Sequence, residues 1–208
     1  MRGGEDGAGS GRSGVTNVEW SLAGLGDTEV LAKCVAAAAK EGDVVLLCGD
    51  VGAGKTTFAR AFIREFTRDD DVTVASPSFL LHLQYPGGPC TLHHLDLYRL
   101  GQRADIAFLG LEQVLPSGVS LIEWPSDSLF PLLPSSYLTI HLREPTPQSA
   151  DACAEAEQPG PEVVADPEED GEFALPAMDG PRVVRAEAVG DRWQDWIRHQ
   201  AVPLPPVA

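Results

Sequence analysis

The chain has 208 residues, enough for one domain of ordinary size with length to spare. Hydrophobic residues make up 43%, which suffices for a packed core, and a formal net charge of -16 argues against gripping a nucleic-acid backbone, because phosphates recruit Lys and Arg. That acidity is local: Glu144 to Pro181 carries eleven Asp/Glu, seven Pro and no Lys or Arg, and the 20 acidic and 15 basic residues elsewhere leave a net of only -5.

The opening "MRGGEDGAGSGRSG" has no hydrophobic stretch, so it does not read as a secretory signal. Glu5 and Asp6 count against an organelle transit peptide, and residues 1–17 are expected to form a flexible tail. From Val18 onward the chain reads as folded. In "GDTEVLAKCVAAAAKEGD", Asp27 is a candidate N-cap, Val30, Leu31, Cys34 and Val35 recur at helical spacing, and Gly42 is the stop. Val44 to Cys48 is a short apolar strand. The glycine-rich loop "GDVGAGKTT" follows, and then Phe58, Phe62, Ile63 and Phe66 mark one buried face of a helix. Arg60, Arg64 and Arg68 recur on another face and read as a solvated stripe.

After the turn-like Ser76–Ser78 comes an apolar stretch, Phe79 to Leu83. The "YPGGP" turn at Tyr85–Pro89 separates it from a strand, Thr91 to Tyr98, and the pair predicts a hairpin. "ADIAFLGLEQVL" predicts a helix, and Val119–Trp124 and Tyr137–Arg143 predict strands. The acidic, Pro-rich insertion at 144–181 cannot bury enough apolar area to offset its ordering entropy and is expected to be disordered. A strand "RVVRAEAV" and a helix with Trp193, Trp196 and Ile197 on one face then occupy 182–199 and should pack on the 18–143 domain, leaving 200–208 as a tail. Strands alternating with helices predict a three-layer α/β domain, and the hairpin predicts a mixed sheet. The four cysteines are widely spaced with no C-x-x-C pair, which suits a reducing compartment, and no apolar run reaches membrane-spanning length.

Gly49-Asp50-Val51-Gly52-Ala53-Gly54-Lys55-Thr56 matches G-x-x-x-x-G-K-[ST] at every fixed position. Backbone N–H groups must wrap a phosphate here, and glycine permits both the close approach and the positive φ this needs. The following helix aims its N-terminal donors at the same anion. Asp50, Val51, Gly52, Ala53, Gly54, Lys55, Thr56 and Thr57 are therefore the candidate nucleotide-binding set. Lys55 would reach the β- and γ-phosphates, and Thr56 would place its hydroxyl on Mg²⁺. Such a loop needs an acid at the end of a neighbouring strand. Glu123 ends an apolar run in the required pattern, the alternative being a surface ion pair. Asp96 shares a strand face with His94 and Tyr98, which fits a functional acid or a polar edge equally. Adjacent His93 and His94 lack further ligands at metal-binding spacing. The only Asn is Asn17, so no N-K-x-D guanine motif exists, and ATP is the expected nucleotide.

Four segments in order, "GDVGAGKTTFAR", "SPSF" (Ser76–Phe79), "HLDLYRL" (His94–Leu100) and "IEWP" (Ile122–Pro125), resemble the TsaE (YjeE) family. These are small ATPases of bacterial and organellar tRNA threonylcarbamoyladenosine synthesis. The resemblance runs from about Val18 to Arg143. It implies a P-loop NTPase-like fold with a mixed central sheet, ATP or ADP with Mg²⁺ as cofactors, and weak intrinsic ATPase activity. It implies TsaD-like transferase and TsaB-like partners, with tRNA engaged only through that complex and no membrane. Asp96 and Glu123 would organise the metal and the attacking water, Ser78 would touch the metal from a switch loop, and Trp124 would lie beside the nucleotide. The family's switch reads S-P-T-F, so Ser78 keeps the hydroxyl but loses the methyl that restricts χ1. The expected compartment is the cytoplasm, with plastid or mitochondrial matrix as the alternative. A P-loop small-molecule kinase and a non-hydrolysing nucleotide-binding module are the competing readings; the kinase would need an Arg-rich lid that the sequence lacks.

Overall fold

A computed structural model describes residues 14–102, 105–145 and 180–199. Seven strands form one sheet in the order β1-β7-β6-β2-β5-β4-β3. They are β1 (Thr16–Leu22), β2 (Val44–Cys48), β3 (His82–Tyr85), β4 (Leu92–Asp96), β5 (Val119–Glu123), β6 (Tyr137–Arg143) and β7 (Arg182–Val189). The four middle strands, β6, β2, β5 and β4, are parallel, while β3, β7 and β1 run antiparallel to their neighbours. The mixed α/β architecture is thus the expected one. β2 is apolar throughout because both its faces are covered, whereas β7 alternates buried and half-buried residues at period two.

Register sorts the core into two layers. Val45 and Leu47 align with Leu121 on β5 and with Leu138 and Ile140 on β6, and this face packs against α1 (Leu25–Ala38) and α2 (Lys55–Thr67). The same core takes in Trp193 and Trp196 of α4 (Asp191–His199), which pack edge to face at 5.6 Å. Val44, Leu46, Leu95 and Ile122 face the other way, onto Ile106, Leu111, Leu115 and Leu129. This third layer is thin, made of 3₁₀ turns and the one-turn helix α3 (Leu111–Val114).

Several local expectations need correction. The N-cap of α1 is Gly24; Asp27 lies in the first turn, where its carboxylate accepts from the Ala23 N–H at 2.7 Å. "ADIAFLGLEQVL" is not one helix. Gly110, at φ 60°, ends a 3₁₀ turn (Ala107–Leu109) before α3 begins. Phe79 and Leu80 are not strand but exposed turn, and β3 begins only at His82. β4 stops at Asp96, and Tyr98–Leu100 forms a 3₁₀ turn. Thr16 and Asn17, assigned to the tail, pair with Ala188 and Glu187 because β7 offers them a free ladder edge. Residues 1–13 and 200–208 of the expected tails, and 146–179 of the expected insertion at 144–181, lie outside the described residues.

Arg143 and Val183 are directly opposed across the β6–β7 pair. The strands that lead into and out of 146–179 therefore run side by side at that point, close enough for a short connection to join them. Replacing 146–179 by a four-residue Gly/Ser turn should preserve folding. Shorter loop closure should leave stability unchanged or raise it by up to about 2 kcal/mol. Denaturant unfolding checks this, and loss of the cooperative transition would show that the segment is part of the fold.

Candidate functional site

Sequence-local chemistry and sheet register meet at the carboxyl ends of β2, β4 and β5. The glycine loop leaves β2 at Gly49, whose φ is 140°. A Cβ there would lie 2.2 Å from the Leu142 carbonyl oxygen, so only glycine lets the loop turn so close to β6. Gly52 and Gly54 also have positive φ, 83° and 101°, and Gly54 caps α2. The Lys55 side chain, although at the first helical position, is buried and folds back over the loop. Its Nζ donates to the Gly49 and Asp50 carbonyls at 2.6 and 2.7 Å. Thr56 and Thr57 are half-buried in the first turn, while Asp50 and Val51 are exposed at the loop's crest.

The two candidate acids are brought together by register. Asp96 and Glu123 are paired residues on the parallel strands β4 and β5, and both are buried. Asp96 is doubly held: its Oδ2 accepts from the Ser78 hydroxyl at 2.6 Å and its Oδ1 from the Tyr98 N–H at 2.9 Å. Ser76 and Ser78 share a hydrogen bond at 2.7 Å, which ties the "SPS" loop to the strand end. The hydroxyl that Ser78 retains thus does bond, but to Asp96. Glu123 meets His94, with Nε2 2.9 Å from Oε1.

Trp124 has φ 55°, a costly conformation for an aromatic residue. Its N–H donates to Leu47 O at 3.1 Å, and the turn lays the indole over Lys55, with Nζ 3.7 Å from the ring centroid. Trp124 therefore stands over the lysine, where the glycine loop enters α2. The Tyr98 ring lies 4.9 Å from it. Sequence reasoning missed Tyr98 and set His94 aside. The signal was available in part, because His94 and Asp96 are two residues apart and so share a face. Arg60, read as a solvated stripe residue, is half-buried and donates to Val74 O at 3.4 Å, just ahead of the Ser76 loop.

Burial holds the Lys55 amine down to about 8 from its ordinary 10.5, against the opposing pull of Glu123, Asp96 and Asp50. The neighbouring Cys48 thiol is pushed up to about 12, chiefly by burial and then by Glu187, so it stays protonated and unreactive. Among the described residues no group of three or more His, Cys, Asp or Glu could hold a metal ion. A magnesium ion needs no such cage, because it takes much of its shell from water and substrate phosphates with one or two carboxylates. Asp96, Glu123 and the hydroxyls of Thr56 and Ser78 fit that donor set. No described helix is long and apolar enough to cross a membrane.

A family model described as "Threonylcarbamoyl adenosine biosynthesis protein TsaE" matches residues 22–151. The chain is 39% identical over 117 residues to the tRNA threonylcarbamoyladenosine biosynthesis protein TsaE of Rickettsia bellii, covering 56% of this chain and 80% of that one. It is 43% identical over 98 residues to the TsaE of Rickettsia conorii, covering 47% and 55% respectively. Among solved structures, YdiB of Bacillus subtilis superposes with a TM-score of 0.58 at 26% identity, covering 88% of this chain and 93% of that one.

The state of the lysine generates a measurement. Because its folded value lies below the unfolded one, the folded chain binds fewer protons between about 8 and 10.5. Stability should therefore rise with pH across that window, the cost of burying the ammonium being fully present below it. NMR of the nucleotide-free protein should find the Lys55 side chain titrating near pH 8, apart from the exposed lysines. A midpoint shared with them would contradict the packed, desolvated position.

Proposed function

The chain belongs to the TsaE family of threonylcarbamoyl adenosine biosynthesis proteins, and from that premise we propose that it is an Mg²⁺-dependent ATPase. It serves threonylcarbamoyladenosine modification of tRNA by acting on a TsaD-like transferase with its TsaB-like partner. The observation that carries this reading is the convergence of the loop amine of Lys55 with Asp96 and Glu123 at the ends of three adjacent strands.

The division of labour follows from what each group can do. The loop N–H groups and the start of α2 bind the phosphates. Lys55 exchanges its bonds to the Gly49 and Asp50 carbonyls for β- and γ-phosphate oxygens, and the anion restores a strong preference for the charged amine. Thr56 and Asp96 would hold the metal, with Ser78 fixed to Asp96. Glu123 accepts a hydrogen bond from the attacking water and orients it in line with the γ-phosphate. Magnesium, when bound, neutralises the charge developing on the phosphate oxygens. Trp124 keeps bulk water from the lysine and forms a wall of the site.

Partner-coupled turnover is supported by the surface around the loop. Phe79 is 80% exposed, Leu80 70% and Val51 64%, all on segments that flank the phosphate cradle. Large apolar side chains held in water beside a nucleotide site suit a protein partner better than a small acceptor substrate. The cytoplasm is the proposed compartment.

Lys55→Ala should weaken ATP binding by about 100-fold or more, since it removes a charge-assisted phosphate contact. Isothermal calorimetry reads this, and retained affinity would count against the phosphate cradle. Glu123→Ala should slow Mg²⁺-dependent hydrolysis by about 100-fold or more with little effect on nucleotide affinity. Unchanged turnover would remove it from the reaction. ATP hydrolysis should rise when TsaD-like and TsaB-like proteins are added, and their pull-down should depend on nucleotide. Transfer of phosphate to a small acceptor without them would indicate a kinase instead.

A further inference from the structure

His94 lies on β4 two residues before Asp96, on the sheet face that packs against α2, and its side chain is fully buried. Its Nε2 is 2.9 Å from Glu123 Oε1, and its Nδ1 has no hydrogen-bond partner. A neutral imidazole carries one donor and one acceptor nitrogen. An ionised carboxylate only accepts, so the proton of the facing pair sits on Nε2 and the lone pair on Nδ1. A second N–H at Nδ1 would be buried without an acceptor, which is the costlier of the two arrangements. The Tyr85 ring lies with its centroid 6.4 Å from that of the imidazole. The imidazole is therefore a fixed donor with a single target.

Glu123 has need of one. The terminal torsion of a glutamate is broad and does not orient the carboxylate by itself. The ammonium of Lys55 is close enough to interact electrostatically with it and would draw it toward an ion pair. We propose that His94 is the positioning residue for Glu123. The Nε2–H holds Oε1, sets the plane of the carboxylate and leaves Oε2 to receive the attacking water. Asp96 gains the same restraint from Ser78 and from the Tyr98 N–H, so each acid of the pair is clamped by a separate neighbour. This inference rests on the hydrolytic reading of the site.

Three substitutions test it, because amide side chains of different length imitate the two ring nitrogens. Gln places a nitrogen near the Nε2 position and Asn stops near Nδ1, while Leu keeps bulk and has no donor. With saturating Mg²⁺ and ATP, His94→Leu and His94→Asn should lower turnover about 10- to 100-fold, the range for groups that orient a ligand or base. Nucleotide affinity should change by less than about threefold, because phosphate contacts are untouched. His94→Gln should recover most of the loss. Wild-type turnover in His94→Leu, or a His94→Gln variant as slow as His94→Leu, would overturn the proposal.

Nitrogen-15 NMR of the nucleotide-free protein gives a readout that needs no turnover and no folded variant at position 94. His94 should be the Nε2–H tautomer, and Glu123→Gln should shift that nitrogen. The Nδ1–H tautomer, or no response to Glu123→Gln, would overturn the contact itself. A wild-type protein that hydrolyses no ATP with or without its partners would instead sink the hydrolytic reading, and the imidazole spectra would still decide whether His94 holds Glu123.

Discussion

A buried ammonium organises the carboxyl end of this sheet. Lys55 is placed by the first turn of α2, and its charge is removed from most of its water. Isolated, such a charge would be too costly to keep. The protein offsets the cost with two carbonyls of the loop, the face of Trp124 and the field of nearby acids. Desolvation still wins, and the amine is held down to about 8, charged at neutral pH but far less firmly so than an exposed lysine. A cation kept in this condition is ready to be stabilised by an anion with more charge than its own loop can supply, which is what a polyphosphate offers.

The acids that share this field depend on register rather than on any local motif. β2 lies between β5 and β6, and β5 lies between β2 and β4. Parallel pairing then sets Leu47 beside Glu123 and Glu123 beside Asp96. A slip of one residue in the β4–β5 pair would turn one acid into the other core layer, among Leu95 and Ile122. The packing of α1 and α2 over one face and of the thin turn layer over the other holds that register. Fold stability and site geometry are in this sense one constraint.

Around the buried cluster the surface carries exposed apolar side chains. The loop from Ser76 to Leu81 is anchored at Ser78 through Asp96 and turns back at Leu81, whose φ is 63°. Between those two points Phe79 and Leu80 face water, and Arg99 lies over the Phe79 ring at 4.0 Å. A hydroxyl–carboxylate bond at one end and exposed apolar groups at the other connect Asp96 to the outer surface of the loop. Any partner that buries Phe79 acts on a segment one residue from the group that holds Asp96.

Much of this was legible in the chain. The glycine loop was readable because its chemistry is local: consecutive residues must wrap one anion, so spacing alone identifies them. β2, β5, β6 and β7 were readable because burial imposes continuous apolar runs or strict alternation. Less was legible where tertiary contacts override local preference. Gly110 divides an apparently helical stretch, and Phe79 and Leu80, apolar enough for a strand, are held in the turn before β3. Trp124 could be picked out but not placed, since only the bond from its N–H to Leu47 and its left-handed φ turn the ring over Lys55. His94 looked like half of a failed metal site, because its partner Glu123 is 29 residues away. The sequence by itself determined that a glycine loop of the G-x-x-x-x-G-K-[ST] pattern follows a buried strand and which acids could serve it. Only the tertiary structure decided that Asp96, Glu123 and His94 form one cluster around that loop, because strand register is a property of the packed sheet and not of any one segment.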